Sequence, residues 1–234
     1  MVAVNRPPAR ASLAGLYALT PDICDTDLLL ARVGAAIAGG ATAIQYRHKG
    51  AAAALRLEQA RSLRQLCAAS GVTFIINDDA DLALGVGAAG VHLGRDDMSV
   101  AAARTRLGGG AIIGVSCYNS LERAADAFRE GADYIAFGSF FSSTIKPDAV
   151  RAMPALITTA KSRWKVPVVA IGGITAARTP ALIAAGADAV AVISAVFAAP
   201  DVAAAAREFA ACFAGRFDGH VDVQLAIHGS GTQR

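Results

Sequence analysis

Two apolar segments of this sequence each run directly into a pair of aspartates. They are residues 73–79 (TFIINDD) and residues 91–97 (VHLGRDD), and both are typical of buried β-strands that end in an acidic turn. If the two strands are parallel neighbours, their backbones lie roughly 4.8 Å apart, so carboxylates from the two turns could converge on one hard cation. Mg²⁺ held by one or two carboxylates usually takes other ligands from substrate phosphates. The alternative is that each aspartate caps the helix after it.

Basic and amide side chains follow other apolar segments of the same kind. Arg47 and Lys49 follow the segment at 43–46, and Lys146 lies in the loop after the segment at 134–137. Arginine suits bidentate contact with phosphate oxygens and lysine supplies a point charge, so with a bound cation this set would suit a diphosphate. Gln45 and Asn77 could form paired hydrogen bonds with a heteroaromatic ring. Singly, the basic residues could be solvated surface charges and the amides backbone caps.

A glycine pair and a serine near the C-terminal end of the chain form a candidate phosphate site. Gly172-Gly173 would let backbone N–H groups approach an anion closely, and Ser194 precedes a short helical segment whose N-terminus favours negative charge. Both positions follow predicted strands, at the seventh and eighth loops where this site usually lies in (β/α)₈ barrels. The alternative is that the glycine pair only makes a tight turn.

A recurring Gly-Ala motif divides the chain into repeating units. Gly40, Gly87, Gly131 and Gly186 each close an Ala-rich helical stretch and precede an apolar strand, and glycine accepts the left-handed conformation that follows many helices. With the units between them, the pattern predicts eight strands, at about 16–19, 43–46, 73–76, 90–93, 111–115, 134–137, 168–171 and 189–192. Helical patterns follow each strand, for example at 27–39, 55–69, 121–130 and 202–213.

Strictly alternating strands and helices predict an α/β protein with a parallel sheet. Eight such units close most economically into a single (β/α)₈ TIM barrel, and a doubly wound open sheet is the alternative. The chain of 234 residues matches one barrel of about 200–250 residues. We expect a flexible leader at 1–14, the catalytic barrel at 15–214, and a polar, Gly-rich C-terminal extension at 215–234 that lies outside the core.

Composition excludes several classes of protein. The net charge of +3 is modest and the basic residues are not clustered, so no nucleic-acid partner is predicted. Apolar stretches are interrupted well before the ~20 residues of a membrane span. Four scattered cysteines without a Cys-x-x-Cys pair indicate neither disulfides nor zinc, and reduced thiols favour the cytoplasm. No Ser-His-Asp or Cys-His grouping indicates covalent catalysis, and His92 is interpreted as a hydrogen-bonded core residue.

From about Leu16 to Phe213 the chain resembles the thiamine phosphate synthase family. The resemblance rests on five motifs, at 45–49 (QYRHK), 77–79 (NDD), 90–97 (GVHLGRDD), 131–135 (GADYI) and 170–174 (AIGGI). It implies a Mg²⁺-dependent barrel enzyme that joins 4-amino-5-hydroxymethyl-2-methylpyrimidine diphosphate to hydroxyethylthiazole phosphate and releases diphosphate. The implied route is a dissociative substitution, in which a pyrimidinylmethyl group is transferred. The partners are small molecules, and a homo-oligomer is left open.

The resemblance also assigns roles to individual residues. The implied metal ligands are Asp78 and Asp97, and the implied catalytic cations are Arg47, Lys49 and Lys146. Residues implied to bind the pyrimidine diphosphate, or to lie in the segment that does, are Gln45, Tyr46, Arg47, His48, Lys49, Asn77, Ser116 and Lys146. Residues implied to border or bind the thiazole phosphate are Ser143, Ile145, Gly173, Ile193 and Ser194.

Three positions depart from the usual family pattern. His48 stands where an acidic residue is common, Ile145 replaces a hydroxyl residue, and the loop after Ser116 lacks a frequent histidine. Two other functions remain open. One is a thiazole tautomerase, a similar barrel that isomerises the thiazole phosphate and should not need paired metal-binding aspartates or a diphosphate clamp. The other is a non-catalytic sensor of thiamine precursors.

Overall fold

The computed structural model describes residues 13–142 and 151–215, and these form alternating strands and helices. The strands are β1 (Gly15–Leu19), β2 (Ala41–Tyr46), β3 (Thr73–Asn77), β4 (Gly90–Leu93), β5 (Ile112–Tyr118), β6 (Tyr134–Phe137), β7 (Val168–Ile171) and β8 (Ala189–Val192). The helices are α1 (Thr26–Ala38), α2 (Ala53–Ala69), α3 (Ala80–Val86), α4 (Val100–Leu107), α5 (Leu121–Arg129), α6 (Pro154–Arg163), α7 (Thr179–Ala184), α8 (Ser194–Phe197) and α9 (Val202–Ala211).

The strands close into one barrel in the order of the sequence. Each strand pairs in parallel with the next, and β8 returns to pair with β1. This closure confirms the predicted (β/α)₈ barrel and excludes the open doubly wound sheet. The predicted leader and C-terminal extension fall almost entirely outside the described residues, so they remain predictions. Because all strands run the same way, the loops after them meet at one end, which we call the mouth of the barrel.

Alternation along each strand produces two separate cores. Residues that point inward, including Tyr17, Ile75 and Tyr134, fill the barrel interior. Residues that point outward, including Ile44 and Ile76, pack against the helices. Since successive side chains of a strand face opposite sides, a polar residue on an inward position is placed inside the barrel. The direction of each strand-end residue therefore decides whether it can face the mouth.

The Gly-Ala motifs lie where the sequence predicts them. Gly40, Gly87, Gly131 and Gly186 all have positive φ angles, between 65° and 110°, as expected for residues that reverse the chain after a helix. The predicted strand bounds agree with the structure to within one to three residues. Among the described residues, no helix is long and apolar enough to cross a membrane.

The fifth strand is longer than the sequence suggested. It was expected at about 111–115, but β5 spans Ile112–Tyr118. The pairing with β6 shifts register between Ser116 and Tyr118, where Tyr118 adopts a φ of 54°. Its carbonyl then accepts a hydrogen bond from Gly138 N at 2.9 Å. Pairing with β6 is interrupted at this irregularity and resumes at Tyr118, so Ser116 lies within the strand.

Candidate active site

Asp78 and Asp97 meet at the mouth, from the loops after β3 and β4. Asp78 has a φ of 64°, and its N–H donates to the carbonyl of His92 at 2.8 Å. Asp97 folds back on its own loop and accepts a hydrogen bond from Gly94 N at 2.6 Å. In this arrangement the two carboxyl groups lie within hydrogen-bonding reach of each other. The two acidic turns therefore converge, as the spacing of the segments predicted.

Asp79 has a structural role instead. It is the N-cap of α3, where its side chain accepts from Leu82 N at 2.8 Å, and it is ion-paired with Arg56. The helix after β4 is capped by Ser99, which leaves Asp97 outside that role. The alternative interpretation, that an aspartate caps the next helix, is thus confirmed for Asp79, while Asp78 and Asp97 face each other.

Burial and mutual proximity perturb the ionisation of this carboxyl pair. The pKa of Asp78 is raised to about 6, first by desolvation and then by the hydrogen bond and charge of Asp97. Lys49 opposes the shift, with its Nζ 3.7 Å from Asp78 Oδ2. Two carboxylates forced together in this way are stabilised by a cation. Within residues 13–142 and 151–215, no group of three or more histidine, cysteine or acidic side chains that could hold a metal ion is found. Mg²⁺ bound by one or two carboxylates usually takes its other ligands from water and substrate phosphates.

We expect MgCl₂ to raise the melting temperature of the protein at pH 8 and to raise it much less at pH 5. The folded-state pKa of Asp78 is raised to about 6, so the carboxylate form that a cation requires is lost as the pH falls through 6. Saturation at about 100 times Kd corresponds to about 2.7 kcal/mol, or roughly 5–10 °C. Equal shifts at both pH values, by differential scanning calorimetry, would contradict the assignment. MgCl₂ at pH 8 should also fail to shift an Asp97→Asn variant.

Two adjoining clefts open at the mouth. The smaller, of about 70 Å³, is lined by Tyr46, His48, Lys49, Arg56, Ile76, Asn77, Asp78, Asp79 and Leu82. The larger, of about 270 Å³, is lined by Thr20, Pro21, Asp22, Arg47, Ile193, Ser194, Phe197 and Ala198. The structure therefore places Lys49, Asn77 and Asp78 together. It places Arg47 with Ser194 in the neighbouring cleft.

Arg47 is held at the mouth by the loop after β1. Its backbone N–H donates to Thr20 Oγ1 at 2.9 Å, and the hydroxyl of Thr20 donates to the Arg47 carbonyl at 3.1 Å. The guanidinium lies 3.5 Å from Asp22 Oδ1, with about a fifth of the side chain exposed. The backbone contacts fix where the side chain leaves the loop, and the ion pair with Asp22 holds the guanidinium, a group suited to bidentate contact with phosphate oxygens.

Tyr46 and His48 face the helix layer. The hydroxyl of Tyr46 donates to Gln59 Oε1 at 2.9 Å, and His48 Nδ1 lies 3.3 Å from the same oxygen. Gln59, on α2, is anchored by donating to the carbonyl of Ile23 at 2.9 Å. Both side chains are buried, because they take the outward positions of β2 and of the turn after it. This geometry favours support of the cleft wall, and contact of either residue with substrate stays a prediction.

A chain of hydrogen-bonded side chains crosses the barrel interior. It joins Gln45, Tyr17, Tyr134, His92 and Ser116, with each link between 2.7 and 3.0 Å. This confirms His92 as a hydrogen-bonded core residue, and burial lowers its pKa to about 4. Tyr17 and Tyr134 were not predicted as site residues. Their inward positions on β1 and β6 were the available signal, since a hydroxyl inside a barrel needs a partner.

The glycine pair after β7 packs against the loop after β6. Gly172 and Gly173 have φ angles of 101° and 62°. A Cβ at Gly173 would lie 2.5 Å from the carbonyl oxygen of Ser142. The close approach that requires glycine is therefore made, at least in part, by a neighbouring loop. Ser194 begins α8 with Ile193 as its N-cap, as the sequence predicted.

Three site residues from the sequence analysis lie outside the described residues. They are Ser143, Ile145 and Lys146. Their proposed contacts with the thiazole phosphate and the diphosphate remain predictions.

Comparison with known proteins shows which family this chain belongs to. The family model described as thiamine monophosphate synthase matches residues 16–196, which span β1 to α8 and all eight strand ends. The chain belongs to the thiamine monophosphate synthase family. This confirms the resemblance drawn from the motifs, while the roles of individual site residues stay predictions.

Individual relatives in the thiamine monophosphate synthase family agree with this assignment. The chain is 54% identical over 202 residues to a thiamine-phosphate synthase of Azoarcus sp., covering 86% of this chain and 98% of the relative. It is 52% identical over 206 residues to that of Bordetella bronchiseptica, covering 86% and 95%. A solved thiamine phosphate pyrophosphorylase from Pyrococcus furiosus is 36% identical with a TM-score of 0.79, covering 87% and 97%.

Proposed function

We propose that this protein joins 4-amino-5-hydroxymethyl-2-methylpyrimidine diphosphate to hydroxyethylthiazole phosphate, yielding thiamine phosphate and diphosphate. The observation that carries the proposal is the meeting of Asp78 and Asp97 beside Lys49, in a member of this family. A carboxyl pair with a lysine at its edge suits a metal-bound diphosphate. A tautomerase gives no reason for such a pair, and turnover separates an enzyme from a sensor.

Asp78 and Asp97 would hold Mg²⁺, and their paired geometry fits that ion. When bound, Mg²⁺ supplies neutralisation of the negative charge that develops on the departing diphosphate. The two aspartates supply two negative charges. Because Asp78 is desolvated by burial, their attraction for a cation is stronger than it would be in water.

Cationic side chains would bind the diphosphate. Arg47, Lys49 and Lys146 are proposed to contact its oxygens, and preorganised charges at such a position lower the barrier to departure. Ser116 is proposed to donate its hydroxyl to the same group. Gln45 and Asn77 would hold the pyrimidine ring by their amides, with Tyr46 and His48 in the adjoining wall.

The thiazole phosphate would bind in the larger cleft, at the ends of β7 and β8. Gly173, Ile193 and Ser194 are proposed to bind it through backbone N–H groups and one hydroxyl, with Ser143 and Ile145 at its border. Ile193 and Ser194 line the larger cleft, and the start of a helix favours an anion. Because Arg47 lines the same cleft, the two substrates would meet next to its guanidinium.

The proposed reaction breaks one bond and forms one. The C–O bond of the pyrimidinylmethyl diphosphate breaks, and the diphosphate leaves with the electron pair. The electron-rich aminopyrimidine stabilises the resulting carbocation, and the thiazole nitrogen donates its lone pair to form the new C–N bond. The protein binds, orients and neutralises charge, so no strong base is required.

This reaction makes the protein a transferase of a pyrimidinylmethyl group, that is, of an alkyl group. We further propose that it acts in the cytoplasm on small molecules, alone or as a homo-oligomer. Its four cysteines are all free thiols, which favours a reducing compartment.

One assay tests the proposed function. The purified protein is incubated with both substrates and MgCl₂, and thiamine phosphate and diphosphate are followed by ³¹P NMR and chromatography. We expect equal amounts of the two products, and none when either substrate is omitted. Isomerisation of a thiazole carboxylate phosphate without release of diphosphate would instead identify a tautomerase. Tight binding of both substrates without turnover would identify a sensor.

Replacement of Lys146 by alanine should impair the chemical step more than binding. We expect kcat to fall by roughly 100-fold, since the loss of one preorganised charge typically has this effect, with KM for both substrates little changed. Lys146→Arg keeps the charge and should retain more activity. A variant with raised KM and normal kcat would mean that Lys146 binds ground state and transition state equally.

A further inference from the structure

We propose that a one-way chain of hydrogen bonds inside the barrel determines what the active site presents to its substrates. In this chain Tyr17, Tyr134 and His92 are positioning residues, which fix Gln45 as an acceptor for the pyrimidine and Ser116 as a donor for the diphosphate. The inference rests on the proposed function and extends it to three residues that touch neither reacting group.

The chain is continuous and buried. Gln45 Nε2 donates to Tyr17 Oη at 2.7 Å, and the two tyrosine hydroxyls lie 3.0 Å apart. Tyr134 Oη lies 2.9 Å from His92 Nδ1, and His92 Nε2 lies 2.8 Å from Ser116 Oγ. Tyr17, Tyr134 and Gln45 are at most 2% exposed, so within the described part of the molecule these partners set the direction of each bond.

The donor and acceptor in each bond can be assigned, and all the hydrogen bonds of the chain then run in one direction. Tyr17 accepts from the amide nitrogen of Gln45, which has no lone pair to offer in return, so the proton of Tyr17 goes to Tyr134. The proton of Tyr134 then goes to His92 Nδ1. A ring that accepts at Nδ1 carries its proton on Nε2, and His92 therefore donates to Ser116.

Each end of the chain has one hydrogen-bonding group that the chain itself does not use. Gln45 Oε1 is buried and has no hydrogen-bond partner among the described residues. A buried acceptor without a partner is costly, so this oxygen suits the exocyclic amino group of an aminopyrimidine. At the other end, Ser116 Oγ accepts from His92, which leaves its own proton for a phosphate oxygen. Ser116 is only partly buried and can reach a ligand at the mouth.

The two ends are coupled through the chain. If the amide of Gln45 were turned around, its oxygen would accept from Tyr17 and every bond would reverse. Ser116 would then donate to His92 and would offer the diphosphate only a lone pair. An aminopyrimidine bound to Gln45 Oε1 holds the amide in the productive orientation. Recognition of the ring therefore supports the contact to the leaving group.

The barrel is shaped to hold this chain. A Cβ at Gly114 would lie 1.9 Å from the ring of Tyr134, so the glycine leaves the space that the phenol occupies. His92 stacks on Tyr134 with ring centroids 5.5 Å apart, and Tyr17 meets the same ring edge-on at 6.1 Å. These contacts restrict both hydroxyls to the positions that the chain requires.

The direction of the chain is tested first by the tautomer of His92. In protein labelled with ¹⁵N-histidine and free of substrate, we expect His92 to be neutral and protonated on Nε2, with its signals assigned by comparison with a His92→Gln variant. The tautomer protonated on Nδ1 would overturn the proposal. This measurement does not depend on activity, so failure of the proposed function and failure of this inference are separable.

The coupling is tested by two tyrosine variants. Tyr17→Phe removes the anchor of Gln45 and the hydrogen bond that directs the proton of Tyr134, but Tyr134 can still donate to His92 Nδ1. KM for the pyrimidine diphosphate should therefore rise roughly 10-fold with a smaller change in kcat. Tyr134→Phe also removes the hydrogen bond to Nδ1 that fixes the tautomer of His92. We therefore expect kcat to fall roughly 10-fold as well. KM for the thiazole phosphate should stay within about twofold, far below the effect of a lost buried hydrogen bond.

Tyr118→Phe is the matched control, because Tyr118 lies on β5 but outside the chain. It should behave as wild type in all three constants and in the His92 tautomer. Wild-type constants in both Tyr17→Phe and Tyr134→Phe would overturn the inference even if the wild-type enzyme makes thiamine phosphate. A wild type that makes none but has the Nε2 tautomer would refute the proposed function and leave the direction of the chain intact.

Discussion

Asparagine in place of Asp97 is expected to lower kcat/KM by at least about 100-fold, the scale on which preorganised charge acts in catalysis. The two side chains have the same shape, and asparagine keeps an oxygen that can accept from Gly94 N, as Asp97 does at 2.6 Å. The substitution therefore preserves the turn and removes one negative charge from the pair with Asp78. Steady-state kinetics at saturating and limiting MgCl₂ will separate weak metal binding from a defect in the bound state.

Asp96 provides the control for this experiment. It is the exposed neighbour of Asp97 in the same turn, and Asp96→Asn changes the net charge equally, so its activity should stay close to wild type. Asp78→Asn should behave like Asp97→Asn, and its loss should be accompanied by loss of the Mg²⁺-dependent rise in melting temperature. Full activity of Asp78→Asn or Asp97→Asn, or of wild type in EDTA, would contradict the assignment of these residues as metal ligands.

The convergence of Asp78 and Asp97 could be predicted from sequence because it follows from periodicity. Consecutive strands of a parallel barrel place their loops side by side, so two strands that end in aspartates must bring acidic groups together. The pattern did not separate Asp79 from Asp78, since both stand where a helix cap is common. Only the three-dimensional pairing of Asp79 with Arg56 and Leu82 N assigns the cap to Asp79.

The interior chain could not be predicted from the sequence. Tyr17 and Tyr134 are 117 residues apart, and their contact depends on how β1 and β6 face each other across the barrel. Periodicity places each tyrosine inside, but it does not give the partner. The same limit applies to Tyr46 and His48. They belong to one motif with Arg47, but their polar atoms contact Gln59, a partner that the motif does not give.

The glycine pair shows how one sequence feature can have two physical causes. Gly172 and Gly173 were interpreted as a backbone cradle for an anion, because side chains would obstruct the N–H groups. The structure adds that a Cβ at Gly172 would lie 2.1 Å from Ser139 Oγ. A bulky residue at either position would displace the loop after β6, so its effect on activity would not report phosphate binding specifically.

Replacement of Arg47 by alanine should lower kcat by roughly 100- to 1,000-fold, as expected for loss of a preorganised group that stabilises developing charge. The loop should survive the substitution, because it is held by backbone contacts to Thr20, which alanine retains. Arg47→Lys should recover part of the activity, since lysine restores the charge but cannot form the bidentate contact.

Arg61→Ala is the matched control, since Arg61 is exposed on α2 and its loss changes the net charge equally; we expect wild-type kinetics. The measured constants also test which substrate Arg47 serves. Arg47 lines the same cleft as Ser194. If Arg47 binds the diphosphate, kcat of the Arg47→Ala variant should fall while its KM for the thiazole phosphate changes little. A selective rise in that KM with kcat preserved would instead place Arg47 in the thiazole phosphate pocket, because a group that binds ground state and transition state alike alters KM alone.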